Sequence, residues 1–300
     1  MKLSILKDNI PGFKHAFNNA WPYKHLVIDN FLEEELAEQI LKDFPPPIAM
    51  DIHGSNSKRL LGWQINPLSS NYNPETSLNL LFDYLRLNEL REVFRDITGI
   101  KTRLLSDPGY YGSGLLLAPR GGVHKIHADR TYHPISSIFP RLVFLLYFNK
   151  NWLPQYGGGL QLWNQSINKS KTVAPLFNRA VLFEITSTSY HSIEDVTCPE
   201  NVFRRALNYY YLSDEAPPKS YMHDTIFFPR PNERLSYWKD IAFNDFPKNL
   251  IGAIASRSSF ARRVHSSARL LIKGSSVGLK REIPSEETIN SWLDFNKFSI

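Results

Sequence analysis

His127 and Asp129 stand two residues apart in a chain of 300. On an extended strand that spacing sends both side chains to one face. Two imidazoles and one carboxylate can grip Fe(II) on one side and leave the opposite side open for chemistry. One short segment could therefore supply two of three ligands. The third must come from elsewhere, and His191, in the apolar setting Ser189-Tyr190-His191-Ser192-Ile193, is the candidate. A bare His-x-Asp is weak on its own, because nine histidines in a chain of this size produce one by chance fairly often. The order of the segments around it carries the weight.

Those segments read as short strands. Leu142 to Phe148 is a continuous apolar run closed by Asn149-Lys150. Gly157-Gly158-Gly159 punctuates, and Leu160-Gln161-Leu162-Trp163 alternates. Thr172 to Phe177, Ala180 to Ile185 and the His191 segment follow, and a Tyr-rich run from Phe203 to Leu212 ends the series. Short strands separated by turn residues argue an all-β sandwich or barrel. In the last run Arg204, Ala206 and Asn208 share one face, while Arg205, Leu207 and Tyr209 share the other.

With these residues in hand, the chain resembles the iron(II)- and 2-oxoglutarate-dependent oxygenases, in their prolyl-4-hydroxylase-like branch. The likeness is carried by His127-x-Asp129, by Leu146 to Trp152, by Gly157 to Trp163, and by His191 followed by Arg204. It covers roughly residues 20 to 215. The resemblance implies a mainly β fold with flanking helices, its core a double-stranded β-helix (jelly-roll, cupin-like). It implies His127, Asp129 and His191 as iron ligands, and Arg204 as partner of the distal carboxylate of 2-oxoglutarate. A guanidinium fork suits a carboxylate because two parallel hydrogen bonds can form. It also implies Tyr147 and Asn208 as cosubstrate contacts. Many relatives carry Ser or Thr where this chain has Ala206, so Asn208 or Tyr147 must supply that donor; Arg205 is the rival of Arg204, and strand phase decides between them. The implied cofactors are Fe(II), 2-oxoglutarate and O2. The implied reaction is hydroxylation of an unactivated carbon with release of succinate and CO2. Asp129 disfavours halogenation, since the family's halogenases lack this carboxylate.

Bulk properties bound the rest. The chain can bury a large core. A single cysteine, Cys198, excludes an internal disulfide framework and fits a reducing compartment. No signal-like apolar region opens the sequence and no run is long enough to span a membrane, so a cytoplasmic protein is expected. Net charge is +6. From Phe246 to Arg281 there is no acidic residue, while eight are Lys or Arg, so the remainder is slightly acidic. This basic tract, residues 248–281, is the main hint of a nucleic acid or another anionic partner, although such tracts are more often solvated faces.

The expected organisation is an oxygenase domain over residues 1–215, with its jelly-roll core at about 103–213, and a basic C-terminal helical extension over 216–300. Before the core, Trp21 to Asp29 reads as a strand. Asn30 with Glu33 reads as a capping box opening a helix that Pro45 stops. Residues 48–75 read as loop, and Ser77 to Thr98 as one helix ended by Gly99. Helical regions are expected over 249–273 and near the C-terminus. The loop from Arg130 to Pro140 should lie over the metal, so Arg130, Tyr132, Arg141, Trp163 and Tyr190 are the candidate substrate contacts, with Arg120 a further cation near the mouth. His124 and His133 fit no ligand position.

Three classes compete. A small-molecule hydroxylase, acting on an amino acid or biosynthetic intermediate, is preferred over a prolyl or peptidyl hydroxylase acting on a protein. A non-redox cupin-like isomerase or binding protein would have no need of a guanidinium facing the site. A non-catalytic interaction module would have no need of the three ligands. Fold alone would not separate these.

Overall fold

The computed structural model describes residues 3–56, 60–133, 138–218, 220 and 222–233. In chain order the strands are β1 (His25–Ile28), β2 (Asp51–Asn56), β3 (Leu60–Ile65), β4 (Leu105–Ser106), β5 (Gly114–Ala118), β6 (Val123–Ala128), β7 (Phe139–Tyr147), β8 (Leu160–Trp163), β9 (Ser170–Val173), β10 (Ala180–Glu184), β11 (His191–Ile193), β12 (Arg204–Ser213) and β13 (Ile226–Phe228). All pair antiparallel in one curled sheet. One wall runs β1-β10-β7-β12-β5 and the other β6-β11-β8-β9. β3 joins them, pairing β5 through Trp63, Gln64 and Ile65 and β6 through Leu60 and Leu61. This is the jelly-roll core expected from the sequence.

Period two explains why β7 looks uniformly apolar. Leu142, Phe144 and Leu146 point outward, into a core shared with Leu207, Tyr209 and Tyr211 of β12. Val143 and Tyr147 point inward, into a second cluster with Ala206, Leu160 and Phe183. A strand buried on both faces has no polar face to alternate with. The outward core is closed by five helices: α1 (Leu3–Asp8), α2 (Ile10–Asn18), α3 (Glu34–Asp43), α4 (Ser77–Arg86) and α5 (Asn88–Thr98). Phe94 of α5 lies edge-on to Tyr211 and tilted against Phe144, fully buried.

Three local expectations change. The first helix after β1 opens at Glu34 rather than behind Asn30, and no side chain caps it. Asn30 takes a left-handed conformation. The backbones of Phe31 and Leu32 are tied instead to Asn178, whose side chain accepts from the Leu32 N–H and donates to its carbonyl. The helix expected over Ser77 to Thr98 is two, broken at Leu87 with φ −56° and ψ 131°. The break lets Leu81 and Leu85 on one half and Leu90 and Phe94 on the other all bury against a curved wall. Gly99 does close the second half, in the left-handed conformation that glycine adopts without penalty. Residues 48–75 hold the β2–β3 hairpin, which the sequence hides because β2 has little apolar alternation and leaves Ile52 exposed. Among the described residues, no helix is long and apolar enough to cross a membrane. The basic tract 248–281 and the helices expected after residue 248 lie outside the described residues, as do residues 134–137 of the loop expected over the metal.

Candidate active site

β6 and β11 are neighbours, and His127 stands directly opposite His191 in the register. Their ring centroids are 4.1 Å apart. Asp129 follows the end of β6, and ligand atoms of the three residues lie within 4.8 Å of one another, all buried. The Nε2 of His127 is 3.4 Å from Asp129 Oδ1, and that of His191 is 3.6 Å from Oδ2. Each ring is held the same way from behind. Nδ1 of His127 bonds the carbonyl of Lys125 at 2.7 Å, and Nδ1 of His191 that of Ser189 at 3.1 Å. A carbonyl can only accept, so each Nδ1 carries the hydrogen and each Nε2 lone pair turns to the shared centre.

Charge and burial prepare the same set. Burial alone would raise the Asp129 carboxyl, but His191, His127 and the Tyr210 hydroxyl hold it down to about 2. Burial and the neighbouring His127 push His191 down to about 4, against the pull of Asp129. At neutral pH His191 is therefore a neutral donor and Asp129 an anion. The Tyr210 hydroxyl donates to Asp129 Oδ2 at 3.1 Å and fixes the carboxylate's rotation. Two imidazole nitrogens and one anionic oxygen on a single side fit Fe(II).

The second half of the site lies on β12. Arg204 faces the cavity and is 2% exposed, whereas Arg205 leans over Phe44 on the outside and its backbone N–H bonds Asn149. Arg204 Nε donates to the Gly158 carbonyl at 2.6 Å, and its Cζ stands 5.1 Å from the centre of the Tyr147 ring. Gly158 has φ +69°, and a Cβ there would come within 2.9 Å of Arg204 Cδ, so only glycine allows this approach. Ala206 is the register partner of Tyr147, and its small side chain leaves the ring room on that face. The Tyr147 hydroxyl is buried without a hydrogen-bond partner. Burial raises its pKa although Arg204 opposes this, so it remains a donor. A buried guanidinium beside an orphaned phenol hydroxyl, with no carboxylate in reach among the described residues, fits the carboxylate of a bound dicarboxylic acid.

Asn208 lies four residues beyond Arg204, about 13 Å along the strand. It also faces the cavity, and one amide N–H is committed to the Gly112 carbonyl at 3.0 Å. That places it toward the metal end rather than beside the distal carboxylate partner.

Metal ligands, Arg204 and Asn208 line one cavity of about 310 Å³. Of the five residues expected to meet substrate, none lines it. Trp163 and Tyr190 pack together on the opposite face of the sheet, with Ile126, Ala128, Ile226 and Phe228. Alternation puts them there: Tyr190 precedes an inward ligand, and Trp163 is three residues from inward Leu160. Arg141 is buried, 3.5 Å from Glu184 and bonded to Thr102. Arg130 stacks on Tyr111 and Tyr132 and pairs with Asp224; with Tyr132 it lines a neighbouring cavity of about 110 Å³ that shares Asp129 and Tyr210. Arg120 reaches the Cys198 carbonyl, away from the cavity. His133 pairs with buried Asp107.

Several residues now in the site were not singled out from sequence. Tyr210 shares the inward phase of Arg204, Ala206 and Asn208, so period two could have found it. His124 could not be found that way. Three residues of β6 span two of β11 between these strands' paired positions, and this bulge turns His124 to the side of His127, where the rings stack 3.9 Å apart. Trp63 and His53 come from the hairpin, and Thr225 and Phe227 from the segment after the barrel.

Comparison with known proteins agrees with this geometry. Residues 114–212 match the sequence model of the 2OG-Fe(II) oxygenase superfamily. The mouse protein named prolyl 3-hydroxylase OGFOD1 is 23% identical over 237 residues. That match takes in 74% of this chain and 39% of the relative, so the chain spans about two fifths of the relative's length. Two solved structures share the fold. A prolyl hydroxylase of Trichoplax adhaerens, in complex with a peptide fragment of the hypoxia-inducible factor oxygen degradation domain, aligns with TM-score 0.52 and 15% identity. The alignment covers 71% of this chain and 93% of that one. A prolyl 4-hydroxylase of Phytophthora capsici aligns with TM-score 0.51 and 16% identity, covering 98% and 95%. Residues 114–212 are thus similar to the 2OG-Fe(II) oxygenase superfamily, on a fold shared with solved prolyl hydroxylases. That family uses Fe(II), 2-oxoglutarate and O2, and His127, Asp129 and His191 are a group that could hold the metal ion.

Proposed function

We propose that this chain hydroxylates an unactivated C–H bond in a compact, uncharged group, consuming 2-oxoglutarate and O2. Bound iron supplies the redox chemistry that couples decarboxylation of 2-oxoglutarate to oxidation of the substrate carbon. The protein's part is to bind, orient and exclude. His127, Asp129 and His191 would hold one side of the metal, and Tyr210 keeps Asp129 from rotating away. Arg204 and the Tyr147 hydroxyl would hold the distal carboxylate of 2-oxoglutarate. Val143, Leu160 and Phe183 line the cavity with apolar surface.

One observation carries the substrate class. Among the described residues lining the cavity, Asp129 and Arg204 alone carry full charge, and both have cofactor roles. A free amino acid would bring an ammonium and a carboxylate with no counter-charges to meet them, and burying either unpaired is costly. The arginines expected to meet such a substrate face elsewhere. A residue within a polypeptide has no such charges, and the names of the relatives point to prolyl residues. A prolyl group in a polypeptide is thus the first substrate to test, and an uncharged small molecule the second.

The test is a mass measurement. With Fe(II), 2-oxoglutarate and O2, proline-containing peptides should gain one oxygen with matching succinate release, and free L-proline should stay unchanged. Turnover of free proline at the rate of the peptides would overturn the uncharged-group reading.

A further inference from the structure

The segment 222–233 lies beyond the residues that match the oxygenase family, and it forms a strap across both metal-bearing strands. Its first end is tied behind Asp129. The Thr131 N–H donates to the His223 carbonyl, the His223 N–H donates to Thr131 Oγ1, and Asp224 takes a hydrogen bond from Tyr132 and pairs with Arg130. Its middle, β13, pairs along β6 with Ile226 opposite Ala128, Phe227 opposite His127 and Phe228 opposite Ile126. Its far end crosses to β11, where Arg230 donates to the Ile193 carbonyl at 2.7 Å and to Asp195 at 3.0 Å. Glu233 returns to Lys125 of β6.

Alternation divides the strap's work. Ile226 and Phe228 turn away from the cavity and bury against Trp163 and Tyr190, which anchors the strand. Phe227 has the opposite phase. A residue directly across an antiparallel pair shares its partner's face, so Phe227 faces the metal side with His127. Its ring centroid is 5.5 Å from that of His127 and 6.1 Å from that of His124. Phe227 and Thr225 both line the 310 Å³ cavity.

We propose that Phe227 is a specificity-determining residue: the strap delivers an aromatic wall beside the metal, against which a compact, uncharged ring of the substrate packs. The wall sets how large that ring can be. This rests on the oxygenase reading above. Asp129 and the two ligand histidines fix one boundary of the reacting space, and Phe227, rigidly registered on β6, fixes another. A ring one methylene larger must push against a strand fastened at both ends. A single methylene in a tight apolar site changes kcat/KM by roughly 10- to 200-fold.

The experiment uses the full chain, in wild-type form and as Phe227→Ala and Phe227→Leu. The probes are N-acetyl-L-prolinamide and N-acetyl-L-pipecolinamide, whose rings differ by one methylene. Two quantities are read: the change each probe makes in the anaerobic visible absorption of the Fe(II) and 2-oxoglutarate complex, and the kcat/KM of probe-stimulated succinate release. Wild type should prefer the smaller ring. Phe227→Ala should raise the pipecolyl-to-prolyl ratio about tenfold or more, with Phe227→Leu between. Should Phe227→Ala fail to fold, Phe227→Leu carries the comparison. An unchanged ratio in variants that retain the absorption overturns the proposal. So does failure of both probes to alter the wild-type absorption. Absence of that absorption in wild type before any probe is added would instead overturn the oxygenase reading.

Discussion

The cavity's metal and cosubstrate end and the wall added beside it are built by different parts of the chain. The metal and cosubstrate end draws His127, Asp129, His191, Arg204 and Tyr210, with Tyr147 behind Arg204, from the barrel strands and their immediate ends, all within the family-matched 114–212. The added wall beside it draws Trp63 and His53 from the β2–β3 hairpin and Thr225 and Phe227 from the strap, all outside that match. The first end contains buried charge, so its partners must be fixed: each ligand imidazole is locked by a carbonyl, Asp129 by Tyr210, and Arg204 by Gly158. The added wall holds no group with full charge, so a change in its size or shape leaves the metal ligands in place. Reaction type is written into the interior of the sheet, and choice of substrate into what is added at its margins.

Breaking the first end should have the largest effects. His127→Ala and His191→Ala should each abolish tight Fe(II) binding and bring turnover to background, read by metal titration and succinate release. Arg204→Ala leaves the 2-oxoglutarate carboxylate without its charged partner. Truncating one side of a buried charge pair costs about 2–5 kcal/mol, so the KM for 2-oxoglutarate should rise roughly a hundredfold while Fe(II) affinity changes little. Tyr210→Phe removes only the hydrogen bond to Asp129. Loss of such an outer contact typically weakens metal binding about 10- to 100-fold, and a wild-type affinity in this variant would show that Asp129 needs no support from Tyr210.

Outside the cavity, Phe94→Ala in α5 should cost about 3–5 kcal/mol of stability, seen in denaturant unfolding, with 2-oxoglutarate affinity retained in the protein that remains folded. That separation of stability from function sharpens the contrast between scaffold and site. The smallest effect is on pH. In the metal-free protein His191 titrates at about 4 rather than 6.5, and Asp129 at about 2 rather than 3.8. Between those values the unfolded chain binds protons that the folded chain refuses, so stability falls as pH drops from 6.5 toward 4, and again below 3.8. Wild type should lose more melting temperature than His191→Gln between pH 6.5 and 4.5; equal losses would mean the site does not hold His191 neutral.

How far the sequence could be read follows the same division. The short strands of an all-β core, and the inward phase of Arg204 rather than Arg205, are legible because period two leaves a clear pattern in interior strands, while the jelly-roll and the ligand set came with the family resemblance. The hairpin is not legible, since a strand such as Asp51–Asn56 at a sheet margin needs no apolar alternation. The strap's Ile226-Phe227-Phe228 reads only as extended, and nothing local tells that it adds to β6 with Phe227 opposite His127. The placement of His124 depends on a bulge, which shifts phase without a marker in composition. Trp163 and Tyr190 show the reverse case: strict alternation from His191 and Leu160 already turns them away from the metal.

The central claim is that the three ligands and Arg204 form one working Fe(II) and 2-oxoglutarate site. Its most direct test is anaerobic titration of the purified metal-free protein with Fe(II) and then 2-oxoglutarate, watching for the weak visible absorption of an iron-bound 2-oxo acid. The absorption should saturate in wild type, be absent in His127→Ala, and need far more 2-oxoglutarate in Arg204→Ala. No absorption in wild type at saturating 2-oxoglutarate, or one that Arg204→Ala leaves at the same midpoint, would contradict it.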